Sequence, residues 1–517
     1  MGQEDIYRKA GIKCLGNAQN LREAAGILGE SKKVGASISL LVLASEELAK
    51  AEFYRMMAEG IVSVDPKDIG KKFVFDKRVL RDHTLKDIQF SMISQVSPFV
   101  KLLNKPELSI SEILSFLNPL FSKVGFGGKT AAPVWNFTEK ELKDFRSELE
   151  KNRERNKVLF GNMDELKLKG FYVDILDGKI LDPDDLDNEV FSKMANMFDE
   201  YLFGYSDAIL YGLPPILKEE LLRVTQSIAE GQKEPMFKRV RKAKTVLGTL
   251  NGYEKITKEQ AKELSVKCMK NSRSLFESAQ ILAKKGKGYQ DKGLFGPATS
   301  LLALSHEEYV KAILFAAVAT GVAVISSKPV KGAFAFHPTQ IRCHACKQEL
   351  AAWIDITHFI RAIRQVNGSS LEEQLKDIQE ILKIKIPEGV DGKFIGMGVP
   401  LVQVDMVKRY YDLVSNLWGL KESCFYVDVT GEEIQSPANL PSLIYSVIEN
   451  IVGSVVDVRH PFEEPENLHL DLLKSILLPS AEEEFKPQPC PHRGAKRARA
   501  SLTLVVSGES SPLNEDK

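Results

Sequence analysis

The two halves of this chain repeat one ordered set of short motifs, and this repeat constrains the fold more than any other feature. Residues 14–28 read CLGNAQNLREAAGIL and match CMKNSRSLFESAQIL at residues 268–282, an offset of 254 positions. Residues 39–51 read SLLVLASEELAKA and match SLLALSHEEYVKA at residues 300–312, an offset of 261 positions. The change in offset places seven additional residues between the two motifs in the second half.

Two further motifs recur in the same order. The segment from His83 to Lys86 reads HTLK and matches HACK, which begins at His344, again at the offset of 261. FYVD at residues 171–174 matches FYVD at residues 425–428, where the offset returns to 254. Four matches in one order, with offsets that differ by a single loop-sized insertion, predict a tandem duplication.

The repeat divides the chain into four expected segments. Prolines interrupt the helical pattern between the copies, and the end of the chain is rich in Pro, Glu and Ser, a composition typical of disorder. The expected segments are a first copy at 1–205, a linker with a basic helix at 206–256, a second copy at 257–458 and a largely disordered tail at 459–517.

Each copy is expected to be a helical bundle. Apolar residues recur every three or four positions in most segments, such as 5–28 and 35–58, which is the pattern of amphipathic helices. Only the two FYVD segments, each followed by a turn-like pair that ends in glycine, look extended, and we expect a small hairpin at each. The longest apolar run, Ala312–Ile325, is shorter than the roughly twenty residues of a membrane helix and is interpreted as a buried helix. The predicted fold class is therefore all-α.

Composition limits the partners and the compartment. Lys plus Arg and Asp plus Glu are both 70, so no field of the whole molecule attracts nucleic acid or an anionic membrane. The six cysteines are sparse for 517 residues, which favours free thiols and a reducing compartment. The first residues, MGQED, show neither the basic nor the apolar region of a secretion signal. We predict a cytoplasmic protein that has no membrane partner.

Polar residues that recur in both copies are the candidates for a site. The first helix of each copy carries an asparagine inside its apolar pattern, and the second carries two glutamates and a lysine among apolar neighbours. Charges in such surroundings are expected to be partly buried and paired. They either fix the register of the helices or support a site. These supporting residues are Asn17, Glu46, Glu47 and Lys50 in the first copy and Asn271, Glu307, Glu308 and Lys311 in the second.

Each copy also carries a histidine followed one helical turn later by a lysine, so that both side chains share a helix face. An imidazole can move a proton near neutral pH, and a neighbouring cation can hold a phosphate. An arginine lies two residues before each histidine, whereas Arg78 has Thr339 at its matching position. The alternative is a structural role for both histidines. The candidate catalytic residues are Arg78, Arg81, His83 and Lys86 in the first copy and Arg342, His344 and Lys347 in the second.

No cofactor or metal is expected. The segment Gly125–Thr130 reads GFGGKT, but Lys123 stands where a phosphate-binding loop needs its first glycine. Cys343 and Cys346 have no second cysteine pair at the spacing of a zinc site.

Taken together, Asn17 with its leucine and alanine spacing, the Glu46-Glu47-x-x-Lys50 helix, the His83-x-x-Lys86 pair and the Tyr-Val-Asp segment resemble the AbiV family. These are bacterial abortive-infection proteins within the wider HEPN class of helical bundles. The resemblance covers both copies and implies two homologous HEPN-like bundles in tandem, each with a Tyr-Val-Asp hairpin. It also implies a role in defence against phage and, from the HEPN class, metal-independent endoribonuclease activity on RNA.

In HEPN nucleases an arginine and a histidine from each of two paired bundles converge on the scissile phosphodiester, so two copies in one chain imply an internal pseudo-dimer. Arg78 and His83 fit that motif, whereas only one residue separates Arg342 from His344. Either the second site is degenerate, or the true site consists of the arginine, histidine and lysine that both copies share. The alternative function is a non-catalytic helical module that binds RNA or a phage or host protein.

Overall fold

The structure is a computed structural model of the full chain. The described residues are 2–80, 163–176, 179–213, 215–236, 251–287, 294–348, 350–351, 414, 417–430, 433–437, 442–456, 484–485 and 487. Within them the secondary structure is mainly α-helical, which confirms the predicted fold class. The most basic part of the predicted linker, residues 238–244, and nearly all of the tail lie outside the described residues.

The first copy begins with a helical hairpin, α1 (Gln3–Glu30) and α2 (Val34–Ala58), close to the two helices predicted there. Glu4 and Asp5 lie in the first turn of α1, where acidic side chains oppose the positive end of the helix dipole. Lys32, with φ of 61°, turns the chain between the helices, so that the apolar stripe of α1 packs on α2.

α2 is the central helix of this copy and is buried along nearly all of its length. It packs against α1, α3 (Met163–Phe171) and α4 (Asn188–Tyr211). Its buried serines hydrogen-bond to backbone carbonyls, for example Ser39 Oγ to Lys167 O at 2.8 Å. Because buried polar groups need partners, each charged side chain on α2 must find one inside the protein.

Two pairs of short strands lie among the described residues of this copy. β1 (Val62–Ser63) and β2 (Phe73–Val74) pair in parallel, and β3 (Asp174–Leu176) and β4 (Lys179–Leu181) form an antiparallel hairpin. The hairpin was predicted from the FYVD segment. The parallel pair corrects the expectation that only FYVD is extended, because strands of two residues are too short to show alternation.

The helix α5 (Pro215–Glu230) and the short helix α6 (Asn251–Glu254) come next. The second copy then repeats the elements of the first at the offsets of the motifs. Its helices, within the part of the chain that the structure describes, are α7 (Lys258–Lys287), α8 (Phe295–Ala319), α9 (Pro338–Arg342), α10 (Leu417–Phe425) and α11 (Ser442–Val456). Its strands are β5 (Ala323–Ile325), β6 (Val330–Lys331), β7 (Phe334–Phe336), β8 (Asp428–Thr430) and β9 (Glu433–Gln435), and β10 (Glu484–Phe485) pairs with β6.

Strand register confirms the repeat independently of the helices. Val62 pairs with Phe73, and Ala323 pairs with Phe334 in the same parallel sense, each residue 261 positions later. Asp174 pairs with Leu181, and Asp428 pairs with Gln435, each 254 positions later.

The apolar run Ala312–Ile325 is a helix only as far as Ala319, which corrects the prediction of one continuous buried helix. Gly321 adopts a positive φ of 79° and turns the chain. The β-branched residues Val322, Val324 and Ile325 then favour a strand. Among the described helices, none has the length and apolarity required to cross a bilayer.

The chain divides into two compact units. The larger spans Met1–Ile256, Val266–Glu308 and Ser423–Val458, so it contains the first copy and parts of the second. The smaller spans Thr257–Ser265, Tyr309–Glu422 and Arg459–Lys517. In the smaller unit, β5 pairs with β7, and Ser265 Oγ donates to Ala312 O at 2.6 Å.

Candidate functional site

Three buried polar side chains lie together on α1 and α2 of the first copy. Asn17 is 2% exposed, Glu47 is fully buried and Lys50 is 3% exposed. Asn17 Nδ2 donates to Glu47 Oε2 at 2.9 Å, and Lys50 Nζ donates to Glu47 Oε1 at 2.6 Å. We call these three residues the first clasp.

The first clasp binds the backbone of the second copy. Asn17 Nδ2 also donates to Phe425 O at 2.8 Å, Val427 N donates to Glu47 Oε2 at 3.0 Å, and Lys50 Nζ donates to Val427 O at 2.5 Å. The Lys50 ammonium further lies 5.7 Å from the centre of the Tyr426 ring. The residues bound are the FYV of the second FYVD motif.

The second copy returns the same contacts through Asn271 and Glu308, which we call the second clasp. Asn271 Nδ2 donates to Phe171 O at 2.9 Å and to Glu308 Oε2 at 3.0 Å. Val173 N donates to the same carboxylate oxygen at 3.1 Å. Both clasps and both FYV segments belong to the larger unit.

Side chains of the two FYV segments meet between the clasps. The rings of Phe171 and Phe425 stack with centroids 5.7 Å apart and planes inclined by 20°. Outside this contact, Lys13 Nζ of α1 donates to Ile434 O of the second hairpin at 3.0 Å. Lys267 of α7, 254 positions after Lys13, binds Asp182 beside the first hairpin at 3.0 Å. The first helix of each copy therefore contacts the hairpin of the other copy or the residue that directly follows it.

The buried ammonium of Lys50 is stabilised in its charged form by its surroundings. Burial opposes the charged form of Lys50, but the Glu47 carboxylate together with Cys14 and Tyr54 outweighs this effect and raises the pKa of Lys50 above its ordinary value. The neighbouring Glu46 is also fully buried and pairs with Lys167 at 2.8 Å. At the matching positions, Glu307 and Lys421 are likewise buried.

Close backbone packing fixes the start of each FYV segment. At Gly35, an added Cβ would lie 2.8 Å from Pro183 Cβ and 2.9 Å from Gly170 O. At Gly296, 261 positions later, it would lie 3.0 Å from both Cys424 O and Pro437 Cβ. Glycine at these positions therefore lets α2 and α8 approach the helix ends that lead into the FYV segments.

Only one candidate catalytic residue of the first copy is described. Arg78 is exposed and lies in a short 3-10 turn, Lys77–Leu80, where its Nε donates to Asp76 Oδ1 at 3.0 Å. Burial opposes the charged form of Asp76, but the hydrogen bonds from Arg78 outweigh this and lower its pKa. Arg81, His83 and Lys86 lie outside the described residues.

In the second copy, the candidate catalytic residues differ in exposure. His344 is half-buried, whereas Lys347 is 5% exposed. Arg342 is the last residue of α9, and its side chain lies outside the described part of the structure. Lys311, from the supporting set, is 3% exposed.

Sequence reasoning missed two features of these copies. Lys167, the partner of Glu46, recurs as Lys421 at the offset of 254, and this recurrence is a signal that could have identified the buried lysine. Asp76 and His337, at the offset of 261, both accept a backbone N–H two residues later, Asp76 from Arg78 and His337 from Thr339. These are different residue types in one capping role, so similarity of residue type could not reveal them.

The comparison with known families agrees with this twofold arrangement. The sequence model of the AbiV family, of the HEPN type, matches residues 6–201 and again residues 260–446. No curated protein and no solved structure matches the chain. The two matched regions cover most of the sequence and coincide with the repeated helices, strands and clasps. The chain therefore belongs to the AbiV family and carries the family's HEPN-type domain twice.

Proposed function

We propose that this protein is an abortive-infection protein that cleaves RNA without a metal ion, using a composite site built from its two HEPN-type copies. Membership of the AbiV family supports the defence role. The observation that carries the proposal furthest is the reciprocal contact of the two copies, because HEPN chemistry needs two paired bundles and this chain holds both.

In this proposal, Arg78 and His83 are the principal catalytic residues. The exposed guanidinium of Arg78 would hold the scissile phosphate, and His83 would take a proton from the 2′-hydroxyl or return one to the leaving oxygen. His344 is the corresponding residue of the second copy, with Arg342 beside it. Arg81, Lys86 and Lys347 would complete the electrostatic surroundings of the phosphate.

The supporting set has a different proposed role. Asn17, Glu47 and Lys50 bind one another and a backbone segment, and the matched residues of the second copy are buried in the same way. Side chains that are almost completely buried have no surface with which to contact RNA. We therefore assign them to the pairing of the copies. We also propose that the domains have the limits predicted from the sequence: copies at 1–205 and 257–458, a linker at 206–256 and a tail at 459–517.

A non-catalytic module that binds RNA or a protein is the second candidate. The burial of Lys347 favours it for the second copy, because a lysine that is 5% exposed has little access to a phosphate. In that case the second copy would serve as the structural partner of an active first copy.

The test is RNA cleavage by the purified full chain in the presence of EDTA. We expect His83→Ala to reduce cleavage at least about a hundredfold, the usual scale for loss of a general acid or base. His344→Ala should do the same if both sites act, and have little effect if the second is degenerate. Matched controls are Arg8→Ala, at an exposed position, and His492→Ala, outside both copies. If the double variant His83→Ala with His344→Ala cleaves RNA as fast as the parent protein, the proposed nuclease mechanism is wrong. The defence role is tested separately, by phage plating on cells that express the parent protein.

A further inference from the structure

We infer that the matched Asn and Glu of each copy, joined in the first copy by Lys50, form a receptor for the backbone of a second copy of the same domain. Each clasp binds the FYV segment of the other copy, and the two clasps together hold the pair. This assignment concerns the pairing of the domains and does not depend on RNA cleavage.

The chemistry of the first clasp suits an extended backbone. An extended segment presents N–H and C=O groups along its edge, and here residue 425 offers a carbonyl while residue 427 offers both groups. The clasp supplies two donors, Asn17 and Lys50, for the carbonyls and one acceptor, Glu47, for the amide. Donors and acceptors match one to one, so all three backbone groups are satisfied in a buried place.

The identity of the occupant follows from reciprocity. In a twofold interface, residue i of one partner contacts residue j of the other, and residue j contacts residue i in return. Asn17 binds the carbonyl of Phe425, and Asn271 binds the carbonyl of Phe171, which are the same two positions exchanged. Glu47 and Glu308 repeat the exchange at the amides of Val427 and Val173. The stacked Phe171 and Phe425 rings, which are themselves matched positions, lie where a twofold axis would pass.

Burial makes this recognition strict. Glu47 and Glu308 are both fully buried, so a clasp without its segment would leave a carboxylate short of a donor and a backbone amide without an acceptor. Each copy therefore depends on the other for satisfied hydrogen bonds. This dependence explains why the polar residues of the clasps match between copies although their helices are otherwise apolar.

Hydrogen exchange in the full chain tests the crossed assignment. The variants are Glu47→Gln and Glu308→Gln, which keep the shape of the side chain but replace one of its two acceptor oxygens by an NH2 group. Mass spectrometry measures hydrogen exchange in peptides that cover 171–176 and 425–430. Glu47→Gln should accelerate exchange about tenfold at 425–430 and less at 171–176, because the opening of a contact sets the exchange rate. Glu308→Gln should give the reverse. Glu30→Gln, at an exposed position of α1, is the matched control and should change neither peptide.

The outcome separates a clasp from a general contribution to stability. Equal acceleration of both peptides by each variant, or larger acceleration in the variant's own copy, would overturn the inference. If the buried glutamine prevents folding, Asn17→Ala and Asn271→Ala replace it, because they leave the glutamates and lysines in place. Those variants must show the same crossed pattern, with the larger change at the segment of the other copy.

Discussion

The central helices of the two copies are alike where they lie in or beside a clasp and differ farther along the chain. α2 and α8 carry the same EE-x-x-K pattern over their first two thirds. Beyond it, α2 contains Glu52 and Arg55, whereas α8 has Ile313 and Ala316 at the matching positions. The charged side chains of α2 and the apolar side chains of α8 are both buried at these positions. A core position can therefore be filled either by a closed ion cluster or by apolar side chains, while a position that must bind a partner's backbone keeps its donors and acceptors.

The ion cluster of the first copy also connects α2 to the end of α4. Arg55 binds Glu52 through two hydrogen bonds and Glu59 through one at 3.0 Å. Glu59 Oε1 in turn accepts the backbone N–H of Leu213 at 3.1 Å. Burial opposes the charged form of Arg55, but the two carboxylates outweigh this and raise its pKa further above the ordinary value. The cluster thus has a structural role that the second copy fills with apolar packing.

The largest effect is expected from breaking this cluster at its centre. Arg55→Ala should lower the free energy of unfolding by about 3–5 kcal/mol, because two buried carboxylates lose their cation. Lys71→Ala, at an exposed lysine away from the cluster, should change it by less than about 0.5 kcal/mol. Urea unfolding followed by circular dichroism measures both.

A transplant sharpens the same comparison. Glu52→Ile with Arg55→Ala and Glu59→Thr gives the first copy the residues that the second copy carries, and it removes all three charges together. We expect stability within about 2 kcal/mol of the parent, since apolar replacement of a buried ion cluster is often nearly neutral. A triple variant less stable than Arg55→Ala alone would mean that the two copies are not interchangeable at these positions.

An intermediate effect is expected at the two glycines of close approach. Gly35→Ala should lower the free energy of unfolding by about 1–3 kcal/mol, because the new methyl group must displace backbone and a proline. Gly296→Ala should cost less, because its nearest contacts are 3.0 Å rather than 2.8 Å. Gly16→Ala is the control: it lies inside α1 with nothing within 4 Å of an added Cβ, and it should stabilise the chain by about 0.5–1 kcal/mol. Equal effects at all three positions would argue against tight packing at the helix starts.

The smallest effect is expected at the matched caps. The lowered pKa of Asp76 means that its ionised form stabilises the fold above the ordinary value of 3.8, and that this contribution is lost as the pH falls through the lowered pKa. Asp76→Asn should therefore cost less than about 1 kcal/mol at pH 7, since Arg78 is well exposed, and nothing once the carboxyl is protonated. Unfolding curves measured from pH 7 down to pH 3 test this. A cost independent of pH would show that the hydrogen-bonding shape of Asp76 matters more than its charge.

Sequence reasoning recovered the elements with a strong period and missed the short ones. The apolar spacing predicted α1, α2, α7 and α8, although it extended α8 past its end into β5, and turn chemistry predicted both hairpins. The parallel pairs β1–β2 and β5–β7 were missed, because two or three extended residues carry no periodic signal.

The duplication was determined by the sequence alone, because matched letters at two offsets need no coordinates. It also identified the polar residues that later formed the clasps, since a charge within an apolar helix face stands out against its neighbours. It did not decide which FYV segment each clasp binds. Both segments read the same, so local sequence cannot distinguish a contact within one copy from a contact between copies. Only the tertiary structure decides that Glu47 accepts the amide of Val427, 380 residues away, and that Glu308 accepts the amide of Val173. The physical reason is that the clasps bind backbone N–H and C=O groups, which nearly all residue types share, so residue identity does not reveal which segment is bound.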